Sequence, residues 1–188
     1  MKKSISILLI IVVLTVTSLA CNLTRRLFAT PEPTIPVTTE SAQSLESTLE
    51  NAYEQAQQTG EINFSITEAQ LTSMVALQLS QLGEQSIQNL QVYLRDGQIQ
   101  VTGNVSTQGI QAPAKIVGTV NVDSSGIPSF QVTSATVGPF SVPSSIINNL
   151  ETQFNQIFLN QINQIYPNLF IEQITIENGV MSIQGHTR

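Results

Sequence analysis

The stretch Val137–Leu169, VGPFSVPSSIINNLETQFNQIFLNQINQIYPNL, decides how the rest of the chain is read. A Gly138-Pro139 turn opens it. Pro143 stands where the first turn of a helix accepts a proline, and Ser141 precedes it as an N-cap. Ile146, Ile147, Leu150, Phe154, Ile157, Phe158, Ile162 and Ile165 then recur at helical spacings, and Pro167 closes the run. The expected helix covers about Pro143 to Ile165, with a polar face of Asn and Gln. So broad an apolar stripe needs an apolar surface beneath it, and the flanking segments supply strands. The expected fold class is therefore α+β: a curved antiparallel sheet covered by the long helix, with function residing between the two.

Working outward, Ser41 to Gln58 carries Leu45, Leu49, Ala52, Tyr53 and Ala56 in a narrow stripe, a helix stopped by Gly60. Glu61 to Ile66 alternates as a strand. Thr67-Glu68-Ala69-Gln70 fits a capping box that opens a helix to about Leu82, with Gly83 ending it. Leu90, Val92 and Leu94 alternate, Asp96-Gly97 turns the chain, and Ile99, Val101, Gly103 and Val105 return. A third strand spans Ala112 to Val122, Asp123 to Gly126 turns, and Phe130 and Val132 face inward on a fourth that ends near Val137. After the long helix, Ile174 and Ile176 lead into Asn178-Gly179, and Met181 and Ile183 come back.

The two hairpins match at a constant offset of 82 residues: Val92, Leu94, Gly97, Ile99, Val101 and Gly103 against Ile174, Ile176, Gly179, Met181, Ile183 and Gly185. Each follows an apolar helix. This is either an internal helix-hairpin repeat or the ordinary likeness of two Asx-Gly hairpins. Gly103, Ala112, Ala114 and Gly118 fall on the inner face of the sheet. Small residues there either let another element approach closely or leave room for a guest.

The N-terminus reads as an export segment. Lys2 and Lys3 are followed by the apolar run Ile5–Val16 and by Ser18-Leu19-Ala20-Cys21, which resembles the bacterial lipoprotein signal, in which the cysteine is lipidated. The alternative is an uncleaved anchor, although the run falls short of the ~20 residues of a spanning helix. Residues 1–20 are thus expected to be a lipoprotein-type signal peptide, 21–40 a Pro/Thr-rich tether attached at Cys21, and 41–188 one domain. Both readings put that domain on the extracytoplasmic face of the cell membrane.

Charged residues make up 11% of the chain and the formal net charge is −6. That balance argues against nucleic acid, which calls for a basic stripe. One cysteine and one histidine, His186 in a tail expected to fray, give no metal cluster and no nucleophile–base pair. Glu151 and Glu172 have no partner at suggestive spacing. The chain is expected to be non-catalytic and without cofactor or metal.

The segments FSITEAQLTSMV, VYLRDGQIQVTG, VGPFSVPSSIINNL and ITIENGVMSIQG, in this order and spacing, resemble the LmeA-like phospholipid-binding proteins, placed near the tubular lipid-binding (TULIP) superfamily. The resemblance implies a long helix in the hollow of a twisted sheet with acyl chains held between. It implies a membrane-tethered lipoprotein that binds, and in one version shuttles, a phospholipid or fatty-acyl ligand. The residues expected to line the groove are Leu71, Met74, Val75, Ile99, Val101, Ile116, Phe130, Phe154, Ile157 and Phe158, each of which serves equally well as ordinary core. The competing expectation is a non-catalytic envelope scaffold with a filled core, docking a protein partner.

Overall fold

A computed structural model describes residues 32–83, 86–107, 110–149, 151–152, 155–156 and 168–187. The chain divides at Thr34/Ile35 into two units; of the first only residues 32–34 are described, without regular structure. The signal segment and Cys21 lie outside the described residues. The second unit runs, in chain order, α1 (Thr39–Thr59), β1 (Glu61–Thr67), α2 (Glu68–Gln81), β2 (Ile87–Arg95), β3 (Gln98–Thr107), β4 (Ile110–Val122), β5 (Pro128–Val137) and β6 (Phe140–Ser141). A helix α3 follows, described at residues 144–149, 151–152 and 155–156. It leads to β7 (Leu169–Glu177) and β8 (Val180–Thr187).

The class is α+β with antiparallel pairing throughout, but the expected single sheet is two: three strands in the order β1-β8-β7 and five in the order β2-β3-β4-β5-β6. The local signals act as read. Gly60, at φ 76°, stops α1 because glycine enters the left-handed region without a Cβ clash. Thr67 and Gln70 form the capping box of α2, each side chain bonding the other residue's backbone amide. Thr67→Ala should therefore lower stability by about 1 kcal/mol, read as a drop in the urea midpoint. The start of α3 differs from expectation. Ser141 belongs to β6 and pairs with Thr136, and the Pro143 carbonyl accepts the amides of Ile146 and Ile147, so Pro143 precedes the first helical residue.

The two Asx-Gly hairpins correspond position for position. Asp96 and Asn178 both sit at φ 52°, before Gly97 and Gly179 at 75° and 83°. In the first hairpin the register slips between Gln88 and Gln91; in the second it slips between Ile171 and Gln173, and Gln91 and Gln173 are equivalent. A β-bulge explains both slips. The turns also bond reciprocally: the Gly97 amide donates to the Ile176 carbonyl at 3.1 Å, and the Gly179 amide to the Leu94 carbonyl at 3.0 Å. Since 94/176 and 97/179 are equivalent pairs, these bonds are related by a local pseudo-two-fold axis.

The five-stranded sheet keeps its edges closed with helix side chains. On the β2 edge, Thr72 Oγ1 accepts from the Val92 amide at 2.9 Å, and Glu68 Oε1 accepts from the Leu94 amide at 2.6 Å. On β5, Asn155 bonds both the amide and the carbonyl of Phe130 at 2.9 Å, and Glu151 accepts from the Val132 amide. In each helix the pair is four residues apart, so both side chains share a face and match alternate residues of the strand. An open edge would present unpaired backbone groups to another chain, and these pairs occupy them. Glu151, read from sequence as lacking a partner, has this one.

The main core lies between α1 and the three-stranded sheet, where Leu45, Ile66, Ile171 and Ile183 meet, with Leu71 and Met74 of α2 packed against them. His186 does not fray, because β8 is the central strand of its sheet and holds it between Glu61 and Phe170. Its ring stacks on Phe170, and Nδ1 lies 2.7 Å from Glu172, which thereby also has a partner.

Candidate functional site

Alternation divides the residues of the five-stranded sheet between two faces. One carries Val92 and Leu94 of β2, Ile99 and Val101 of β3, Ile116 and Val120 of β4, and Phe130 of β5; the other is mostly polar, with Gln100, Thr102, Lys115, Thr119 and Gln131, but also holds buried Tyr93 and half-buried Val117. Of the expected groove residues, Ile99, Val101, Ile116 and Phe130 thus share the apolar face, Val101 directly opposite Ile116, and all four are half-buried. Leu71 and Met74 lie instead against the main core, and Val75 is half-buried on the same helix. The expected set is therefore split between two places. Phe154, Ile157 and Phe158 lie outside the described residues.

Part of the room attributed to small residues is already occupied. A Cβ on Gly118 would overlap the Phe130 ring, and one on Gly103 would stand 3.2 Å from the Gln88 carbonyl oxygen. Gly118 thus lets an aromatic ring lie flat on the strand, and Gly103 lets the bulge of β2 approach.

A cavity of about 520 Å³ opens elsewhere, between α1 and the three-stranded sheet. Its walls include Leu49, Ala52 and Ala56 of α1, Ile62 and Phe64 of β1, and Leu169 of β7, while Gln57, Asn168 and Thr187 add polar groups. The volume falls within the ~300–1,000 Å³ usual for small-molecule sites. The geometry follows from the helix stripe. Leu45 reaches into the core, and about two and three turns on, the short, buried side chains of Ala52 and Ala56 line the cavity where longer ones would fill the core. The signal was in the sequence, as a stripe that narrows from Leu to Ala along α1, but it was read only as a helix face.

Charged groups are few around these features. Glu68 pairs with Arg95, whose guanidinium carbon also lies 5.9 Å from the centre of the Tyr93 ring. Among the described residues no three His, Cys, Asp or Glu side chains converge as a metal site would require, and no helix is long and apolar enough to cross a membrane. No protein-family model, no curated protein and no solved structure matches the chain.

Proposed function

We propose that this protein is a non-catalytic, membrane-tethered lipoprotein of the extracytoplasmic face that binds a phospholipid or similar amphiphile in an apolar groove between helix and sheet. The observation that carries the reading is the 520 Å³ cavity between α1 and β1, walled by Leu49, Ala52, Ala56, Ile62, Phe64 and Leu169. An acyl chain entering such a space gains about 0.8 kcal/mol per buried CH₂ and leaves the polar head beside Gln57 and Asn168. The TULIP-like arrangement, with the apolar stripe of the long helix over the apolar face of the five-stranded sheet, is part of the same proposal and would give a second apolar surface, separate from the cavity, along Ile99, Val101, Ile116 and Phe130. We attribute the correspondence of the hairpins to duplication of a helix-hairpin unit.

Filling the cavity tests the reading. Leu49→Trp should abolish uptake of a fluorescent fatty acid while leaving the urea midpoint near that of the parent protein, because Leu49 is only half-buried and a larger side chain there extends into the open cavity. A loss of about 1–3 kcal/mol, as in an overpacked core, with uptake unchanged would contradict it. That outcome would favour the second reading, a scaffold with a filled core, which draws support from the Phe130 ring lying in the space of Gly118.

A further inference from the structure

The cavity beside α1 has an apolar wall and a polar mouth. The helix turns the stripe Leu45, Leu49, Ala52 and Ala56 toward the small sheet. The residue after each gives a parallel stripe, Glu46, Glu50, Tyr53 and Gln57, with the same spacings of four, three and four. Tyr53 and Gln57 line the cavity and are both exposed, Tyr53 by 38%, so this second stripe edges the opening. Glu46 and Glu50, also exposed, continue it along the helix. From the sheet side Asn168 and Thr187 complete the polar lining. No residue lining the cavity is charged. The described cations lie elsewhere. Of the chain's seven Lys and Arg, Arg95 and Lys115 are described; Arg95 bonds Glu68, and Lys115 is on β4 of the other sheet. His186 stands opposite Glu61, where alternation turns both away from the face of Ile62 that lines the cavity. Arg188, next after Thr187, lies outside the described residues.

An amphiphile with its chain in the cavity therefore sets its head among amide and hydroxyl groups, one aromatic ring and the carboxylates of the α1 stripe. The amides of Gln57 and Asn168 and the hydroxyl of Thr187 donate hydrogen bonds, which suits phosphate oxygens. The face of a tyrosine attracts an ammonium group, and a neighbouring carboxylate attracts it further. The same carboxylates repel a head with net negative charge. We propose that the cavity selects a zwitterionic phospholipid with an amine head, such as ethanolamine, over an anionic phospholipid with the same chains. The phosphate is held by Gln57, Asn168 and Thr187, and the ammonium lies along Tyr53 toward Glu50. This rests on the amphiphile site proposed above and names the head that it takes. Nothing in the lining neutralises an anionic head, so such a lipid keeps its hydrocarbon burial and loses the attraction at the mouth.

The test incubates the full chain with an equimolar mixture of phosphatidylethanolamine and phosphatidylglycerol carrying identical acyl chains, and weighs the dissociable adducts by native mass spectrometry. The ethanolamine adduct should be about tenfold the more abundant. Glu50→Lys, a change at an exposed helix position, should bring the ratio close to one. Equal adducts in the parent protein, or an excess of the glycerol lipid, would overturn the head selection and leave the cavity as an acyl-chain site. An ethanolamine preference that Glu50→Lys leaves unchanged would overturn the placement of the ammonium beside Glu50. No adduct of either lipid would overturn the amphiphile site itself, and this inference with it.

Discussion

Replacing Gly185 with alanine is expected to destabilise the domain by about 3 kcal/mol, whereas the same change at Gly103 should leave it within about 1 kcal/mol of the parent. The two glycines are equivalent, each opposite the bulge of its hairpin, and neither needs a positive φ. What separates them is the distance of closest approach. At Gly185 a Cβ would overlap the Phe170 carbonyl and crowd the Ile171 Cα, both backbone atoms of a buried strand pair that cannot rotate away. At Gly103 the nearest atom, the Gln88 carbonyl oxygen, is at 3.2 Å and needs to yield only slightly. There the restriction that alanine imposes on the unfolded chain returns about 0.4–1 kcal/mol. Denaturant midpoints at constant m-value decide the matter. Equal losses at both sites would mean that the second bulge is no tighter than the first.

The second large effect is expected at Glu68. Its Oε1 accepts from the Leu94 amide and from the Arg95 guanidinium, and Leu94 is fully buried. Glu68→Ala strands that amide inside the protein and should cost about 2–3 kcal/mol. Arg95→Met removes the ion pair but keeps the amide bonded. With the Arg95 side chain 29% exposed, its loss should cost about 1 kcal/mol or less. If the two variants are equally destabilised, the ion pair and not the closing of the β2 edge gives Glu68 its weight. Glu68→Gln keeps an acceptor for the amide and should fall between them.

These contacts also mark where sequence reasoning reached its limit. Both hairpins, the capping box at Thr67 and the stop at Gly60 were legible because each depends on residues within a few positions of one another. The division into two sheets was not. It turns on β1 pairing with β8, which brings Ile62 to Gly185 across most of the domain, and nothing local in EINFSI names that partner. The burial of Thr72 and Ser73 on α2, amid a helix read for its leucines, was hidden for a related reason: their value lies in hydrogen bonds to other elements, which an apolar period does not register. A trace was present, since Glu68 and Thr72 on one helix and Glu151 and Asn155 on the other share the same four-residue spacing. The candidate site was legible only in kind. An apolar space between helix and sheet was expected, but the described cavity belongs to α1 and the small sheet, and of the expected groove residues none of the seven described ones lines it.

The account stands or falls on whether hydrocarbon occupies that space. The most direct measurement is native mass spectrometry of the full chain released gently from membranes, with any covalently attached lipid accounted for separately. The account predicts a further, dissociable adduct with the mass of a phospholipid or fatty acid, present in the parent protein and missing from Leu49→Trp. A parent protein that carries no such adduct, and acquires none when incubated with membrane lipid extract, would contradict it.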